Sequence, residues 1–226
     1  MKRIFTPLLF VMLLPATFSC STLRNYTLTE QDAAAAIRQL LQFGAQENLL
    51  AGSFSKDAIM AAVFPESLRK TLNTLNQLGL TGEIDRFTVT LGTAAEQTAT
   101  RSIPIFVNSI SGMQLQDAMR IVKSGGTSAT EYLRSAAGAN LRTAITPVMK
   151  EALNEYKLNE QWENNIAKPI QSLTGNRLNL QLDVIMAGLV SEAMFRKMEE
   201  REREIRANAA ARTTPLLQKV FSRNWN

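Results

Sequence analysis

The chain has 226 residues, 45% of them apolar and 20% charged, a balance that belongs to a folded globular protein and excludes disorder over its bulk. Its formal charge of +5 falls by two if Lys2 and Arg3 leave with a leader, which is too little for the dense positive field of a nucleic-acid binder. Histidine is absent and cysteine occurs once. The commonest general base, an intrachain disulfide and a Cys-based zinc or iron–sulfur site are therefore excluded, and no metal or cofactor is expected.

Lys2 and Arg3 precede an almost wholly apolar run, Ile4 to Leu14, interrupted by Thr6 and Pro7 and broken by Pro15. Small or polar residues then lead to Ser19 and Cys20. This three-part pattern predicts a signal peptide over residues 1–19, and its apolar run is too short to span a bilayer. The lone cysteine stands where a bacterial lipoprotein takes a diacylglycerol on its thiol. Ser19 fits that site, whereas Thr17 and Phe18 depart from the usual pattern, which favours Leu three residues before the cysteine. Ordinary cleavage after Ser19 is the alternative, since Thr17-Phe18-Ser19 also has the small-x-small form. Under either reading residues 20–28 form a tether and 29–223 a single helical domain. The expected location is the cell envelope, with the membrane held as a partner through Cys20 and the domain facing the periplasm or the outer membrane.

Thr29 to Asp32 reads as a helix start with Thr29 as N-cap. Ala33, Ile37, Leu40, Leu41 and Ala45 follow at helical spacing, and Gly52 ends the element after about Leu50. Phe64-Pro65-Glu66 opens a second helix with proline at its first position, and Leu68, Leu72, Leu75 and Leu78 keep the period to Gly79. A third helix is expected from Gly82 to Thr98. The run Ile103 to Val107 also fits a buried strand, but a separate helix is preferred, since Ile103, Phe106, Val107 and Ile110 share one face and Pro104 fits its first turn. Gly112 precedes a short helix from Gln114 to Lys123.

Gly125 and Gly126 make a tight turn, and Ser128 to Glu131 has the form of a capping box opening the longest helix. Its stripe is Leu133, Ala137, Leu141, Ala144, Ile145, Val148, Ala152 and Tyr156, and Pro147 should kink or split it. Leu158 to Leu173 carries Trp162 and Ile166, and Gly175 ends the loop after it. Gln181 to Ala207 is the last long helix. Its first half is apolar nearly all round, which predicts a central place, while Asp183 and Glu192 argue against a membrane span. Thr214-Pro215 starts a terminal helix. The sum is an all-α, single-domain bundle of about seven to nine helices.

Little in the chain points to chemistry. Gly125, Gly126, Thr127 and Ser128 precede a helix, whose free N–H groups can hold an anion, and Lys123 and Arg134 can complete such a site. No Gly-Lys-Ser/Thr follows, so this is not a Walker loop, and a plain structural turn is the competing reading. Glu199, Glu200, Glu202 and Glu204 alternate with Arg196, Arg201, Arg203 and Arg206. The pairs Arg196–Glu200, Glu199–Arg203 and Glu202–Arg206 lie at i,i+4, which predicts a self-neutralising solvated face rather than a metal site. Ser102, Ser111 and Ser135 have no histidine to activate them. Trp162 reads as a core anchor and Trp225 as a tail residue.

Three stretches together resemble the bacterial domain-of-unknown-function family 4197. They are Pro65 to Lys70 with Leu78-Gly79-Leu80, Gly125 to Arg134, and Asn208 to Leu217. The likeness runs from about Thr29 to Phe221. The family pattern at the glycine turn looks like Gly-Gly-Asp-Thr-Ala-Ala-Thr, whereas this chain has Gly125-Gly126-Thr127-Ser128-Ala129-Thr130, so an acidic residue there carries no assumed role. The resemblance implies an exported, helical, envelope-associated domain and no activity. Together with the missing catalytic chemistry, it gives the expectation of a non-enzymatic envelope lipoprotein that binds a partner protein or an apolar ligand. The alternative is an envelope hydrolase or lyase built from carboxylates or a Ser/Lys arrangement. A deep apolar pocket would favour a ligand carrier, and a flat apolar patch a protein partner.

Overall fold

The computed structural model describes residues 26–46, 52–64, 66, 68–70, 72, 82–168, 171–172 and 181–225. Residues 1–25, on which the expected leader, Cys20 and most of the expected tether fall, lie outside the described residues, as do Gly79 and Gly175. Every regular element among the described residues is helical, so the fold is all-α. In chain order the helices are α1 (Glu30–Gln46), α2 (Lys56–Val63), α3 (Gly82–Gly112), α4 (Ala118–Ser124), α5 (Ser128–Glu155), α6 (Leu158–Gln161), α7 (Leu182–Ala207) and α8 (Pro215–Phe221). A π-helical segment, Trp162–Ala167, continues α6, and a 3₁₀ turn, Ala209–Ala211, joins α7 to α8. Residues 66, 68–70 and 72 are helical as well, where the element after Pro65 is expected.

Local sequence explains several helix ends. Thr29 Oγ1 accepts from Asp32 N–H at 3.1 Å, and Thr214 Oγ1 accepts from Leu217 N–H at 3.2 Å with Pro215 at the first position. Ser55 caps α2, accepting from Ala58 N–H at 3.3 Å. Eight residues give too little periodicity to mark this helix in the sequence. Lys157 ends α5 in the left-handed region, at φ 54°.

Both internal prolines are absorbed. Pro104 lies inside α3, which is one helix and not two. Phe87, Leu91, Ala95, Ser102, Phe106 and Ile110 form one buried stripe along it, so packing on both sides of the proline holds it as one helix. Pro147 likewise sits within α5 without splitting it. The buried face there is Leu133, Leu141, Ile145, Met149, Ala152 and Leu153, while Ala144 is exposed. The short fourth helix begins at Ala118, not Gln114, after Asp117 in a left-handed conformation.

α7 packs against α1, α2, α3, α5 and α8, the central place its sequence predicts. Met186, Val190, Met194 and Met198 are buried along it, each such side chain contributing about 1.5–3 kcal/mol of transfer free energy. Its first half is less enclosed than expected, since Val184 is 41% exposed. Gly44 lets α1 lie close: a Cβ there would stand 3.1 Å from Met198 Cα. At the other end of the core Trp162 is 1% exposed, between Phe64 and Phe87 with ring centroids 5.7 and 5.8 Å away.

Candidate functional site

The turn between α4 and α5 depends on its glycines. Gly125 and Gly126 have φ of 69° and 58°, a region costly for residues with a Cβ. Ser128 N–H donates to Gly125 O at 3.2 Å and closes the turn. The expected capping box does not form. Thr127 is the N-cap residue, its Oγ1 donating to Glu131 Oε1 at 2.6 Å, and Ser128 Oγ donates to Ile121 O at 2.7 Å.

The reason is that α5 already has an acceptor at its N-terminus. Glu202, from α7, is fully buried. Its Oε1 accepts from Ala129 N–H at 3.0 Å, and its Oε2 from Thr130 N–H at 2.8 Å and Thr130 Oγ1 at 2.7 Å. The anion position of this helix end is thus filled by a carboxylate of the same chain. Arg206 completes the junction, donating from Nε to Glu202 Oε1 at 2.9 Å and to Val122 O, Ile121 O and Ser128 Oγ at 3.0, 3.3 and 3.1 Å. Arg212 then covers the last carbonyls of α7, donating to Ile205 O and Arg206 O at 2.8 and 2.7 Å. The expectation of a solvated Arg/Glu face is corrected at Glu202. Elsewhere Glu199 pairs with Arg203 at 3.5 Å, and Glu200 accepts from Lys197 at 2.7 Å.

Beside this junction opens a cleft of about 180 Å³. Lys123, Gly125, Gly126, Arg206, Arg223 and Trp225 line it, and among the described residues no carboxylate does. Arg223 donates to Tyr26 O at 3.3 Å, and Trp225 Nε1 donates to Val220 O at 2.6 Å. The cleft borders a seam between the two ends of the fold. Tyr26 meets Trp225 edge-on at 5.7 Å, and its hydroxyl donates to Asp32 Oδ2 at 2.7 Å. Lys219 reaches the same oxygen at 3.2 Å and lies 3.9 Å from the Tyr26 ring centroid. Burial and then the Asp32 hydrogen bond push the Tyr26 phenol up to about 12. The Tyr26 and Lys219 bonds hold the Asp32 carboxyl below its ordinary value.

The turn residues singled out in the sequence are therefore divided. Gly125 and Gly126 line the cleft, and Thr127 and Ser128 spend their hydroxyls within the turn. Arg134 lies elsewhere, bonded to Glu192 and, at 2.5 Å, to Glu199, with its guanidinium 4.6 Å from the Phe195 ring centroid. Arg206, Arg223 and Trp225 were not anticipated as cleft residues; they lie some 80 to 100 positions beyond the turn, and nothing in linear spacing links them. Cys20 lies outside the described residues. Among the described residues no group of three His, Cys, Asp or Glu is placed to hold a metal, and no helix is long and apolar enough to cross a membrane.

No curated protein and no solved structure matches the chain. The family model described as "Protein of unknown function (DUF4197)" matches residues 27–222, which takes in α1 to α8 and the α4–α5 turn but stops short of Tyr26, Arg223 and Trp225. The chain belongs to that family, the one the three sequence stretches resemble.

Proposed function

We propose that the protein is a non-enzymatic, lipid-anchored binding module of the bacterial cell envelope, with the lipid on Cys20 and the basic cleft as its recognition surface. The observation that carries the reading is the cleft's lining. Lys123 and Arg223 stand in it with no carboxylate among its described lining residues, beside a fold entry at Tyr26 that is six residues from the cysteine. At about 180 Å³ the cleft is smaller than the pockets that enclose drug-sized apolar ligands. Its chemistry suits a small anionic group, so the partner class is acidic and not apolar.

The anchor has a direct test. Wild-type protein is expected to fractionate with membranes and to incorporate labelled fatty acid. Cys20→Ser is expected to lose the label and to be recovered as soluble periplasmic or unprocessed protein. A Cys20→Ser chain that partitions into membranes like wild type sinks the anchor.

A further inference from the structure

We infer that the cleft formed by Lys123, Arg223, the Gly125-Gly126 turn and Trp225 seats the phosphate of an anionic phospholipid headgroup, docking the domain on the bilayer that holds its anchor. The inference deepens the proposed function and rests on it for the position of the membrane. Six Cα steps separate Cys20 from Tyr26, so the tether spans at most about 20 Å. Tyr26 is fixed to the cleft's own residues, through Arg223 to its carbonyl and Trp225 to its ring. A lipid on Cys20 would therefore hold this face, and not the far end of the bundle, within reach of the headgroups.

The charges around the cleft point the same way. Asp32 is engaged by Lys219 and Tyr26, and Glu202 lies buried beneath Arg206 with the amides of α5. Asp32 and Glu202 are neutralised where they stand, and Glu131 accepts from Thr127 and is not among the cleft's lining residues, which leaves Lys123 and Arg223 to meet an external anion. Because Glu202 already takes the helix amides, recognition falls to side-chain cations, which suit a phosphate diester on a fluid surface. Trp225 spends its N–H on Val220 O and, half-buried against Tyr26, brings to the cleft lining the residue type favoured at the water–lipid boundary. Tethering raises the local headgroup concentration, so a weak site suffices.

The test uses the chain from residue 20 onward carrying Cys20→Ser, so that no acyl chain contributes. It is sedimented at low salt with vesicles of phosphatidylcholine alone or mixed with phosphatidylglycerol. Binding is expected only to the mixed vesicles. Lys123→Gln with Arg223→Gln is expected to weaken it about 25-fold, at about fivefold per basic residue near an anionic surface. Arg86→Gln with Arg101→Gln removes the same charge from α3 and is expected to leave binding unchanged. Equal losses in the two double variants, equal binding to both vesicles, or no binding to either overturns the inference. Retention on poly-glutamate without retention on vesicles also overturns it and assigns the cleft to a protein. Flotation of the Cys20-bearing chain with phosphatidylcholine vesicles reads the anchor alone, so failure of the anchor and failure of the cleft are told apart.

Discussion

Two carboxylate–arginine contacts bracket α5, alike in chemistry and opposite in surroundings. At the N-terminus Glu202 is buried, and the side chain of Arg206 is 11% exposed. At the C-terminal end Arg101 grips Glu155 with two bonds, 2.8 and 3.1 Å, yet the two side chains are 37% and 41% exposed. Gln97 adds a third bond at 3.1 Å, and the Arg101 contact holds the Glu155 carboxyl below its ordinary value. By geometry alone the outer pair looks as good as the inner one. Burial makes the difference: water solvates either outer partner when the other is removed, whereas a lone inner partner is stranded. The helix dipole adds to the contrast, favouring Glu202 at its N-terminus and opposing Glu155 at its C-terminus.

The sharpest way to break this comparison is Glu202→Ala. It should cost about 3–5 kcal/mol, because it strands Arg206 and uncovers two amides of α5. Urea unfolding followed by circular dichroism measures it, and a cost near zero would show that the junction is not closed to water. Thr130→Val comes next. It keeps the side-chain shape and the N–H bond but removes the hydroxyl donor to Glu202 Oε2, for about 1–2 kcal/mol in the same assay. Glu155→Ala should have the smallest effect. Its melting temperature is expected to fall within the scatter of replicate wild-type melts, with any residual difference vanishing in high salt. A drop comparable to that of Glu202→Ala would erase the distinction between the two ends.

The same contrast explains what could be read from the residues beforehand. Features decided by local sequence were legible: Thr29 and Thr214 as caps, the Gly125-Gly126 turn, the central place of α7 and Trp162 as a core anchor. The i,i+4 rule also found the Glu202–Arg206 pair. It could not find that this pair is buried, because the amides that fill Glu202's remaining sites come from residues 129 and 130, over 70 positions away. Spacing along a helix says who the neighbours are and nothing about which face meets another helix. Pro104, and Pro147 as a place to split its helix, misled for a related reason. Proline costs a helix a local bond, but long apolar faces packed on both sides of it outweigh that cost. The cleft was the least legible feature, since it joins the α4–α5 turn to the last residues of the chain, and Trp225 was read as part of a tail.

The edge-on contact of Tyr26 with Trp225 makes the first and last described residues neighbours in space. A short peptide joining residues 225 and 26 would close the backbone into a ring. New ends opened between α3 and α4 would leave the helix packing in place. Such a permutant would carry its N-terminal extension at a different site from the native chain, which separates where the domain is attached from what it recognises.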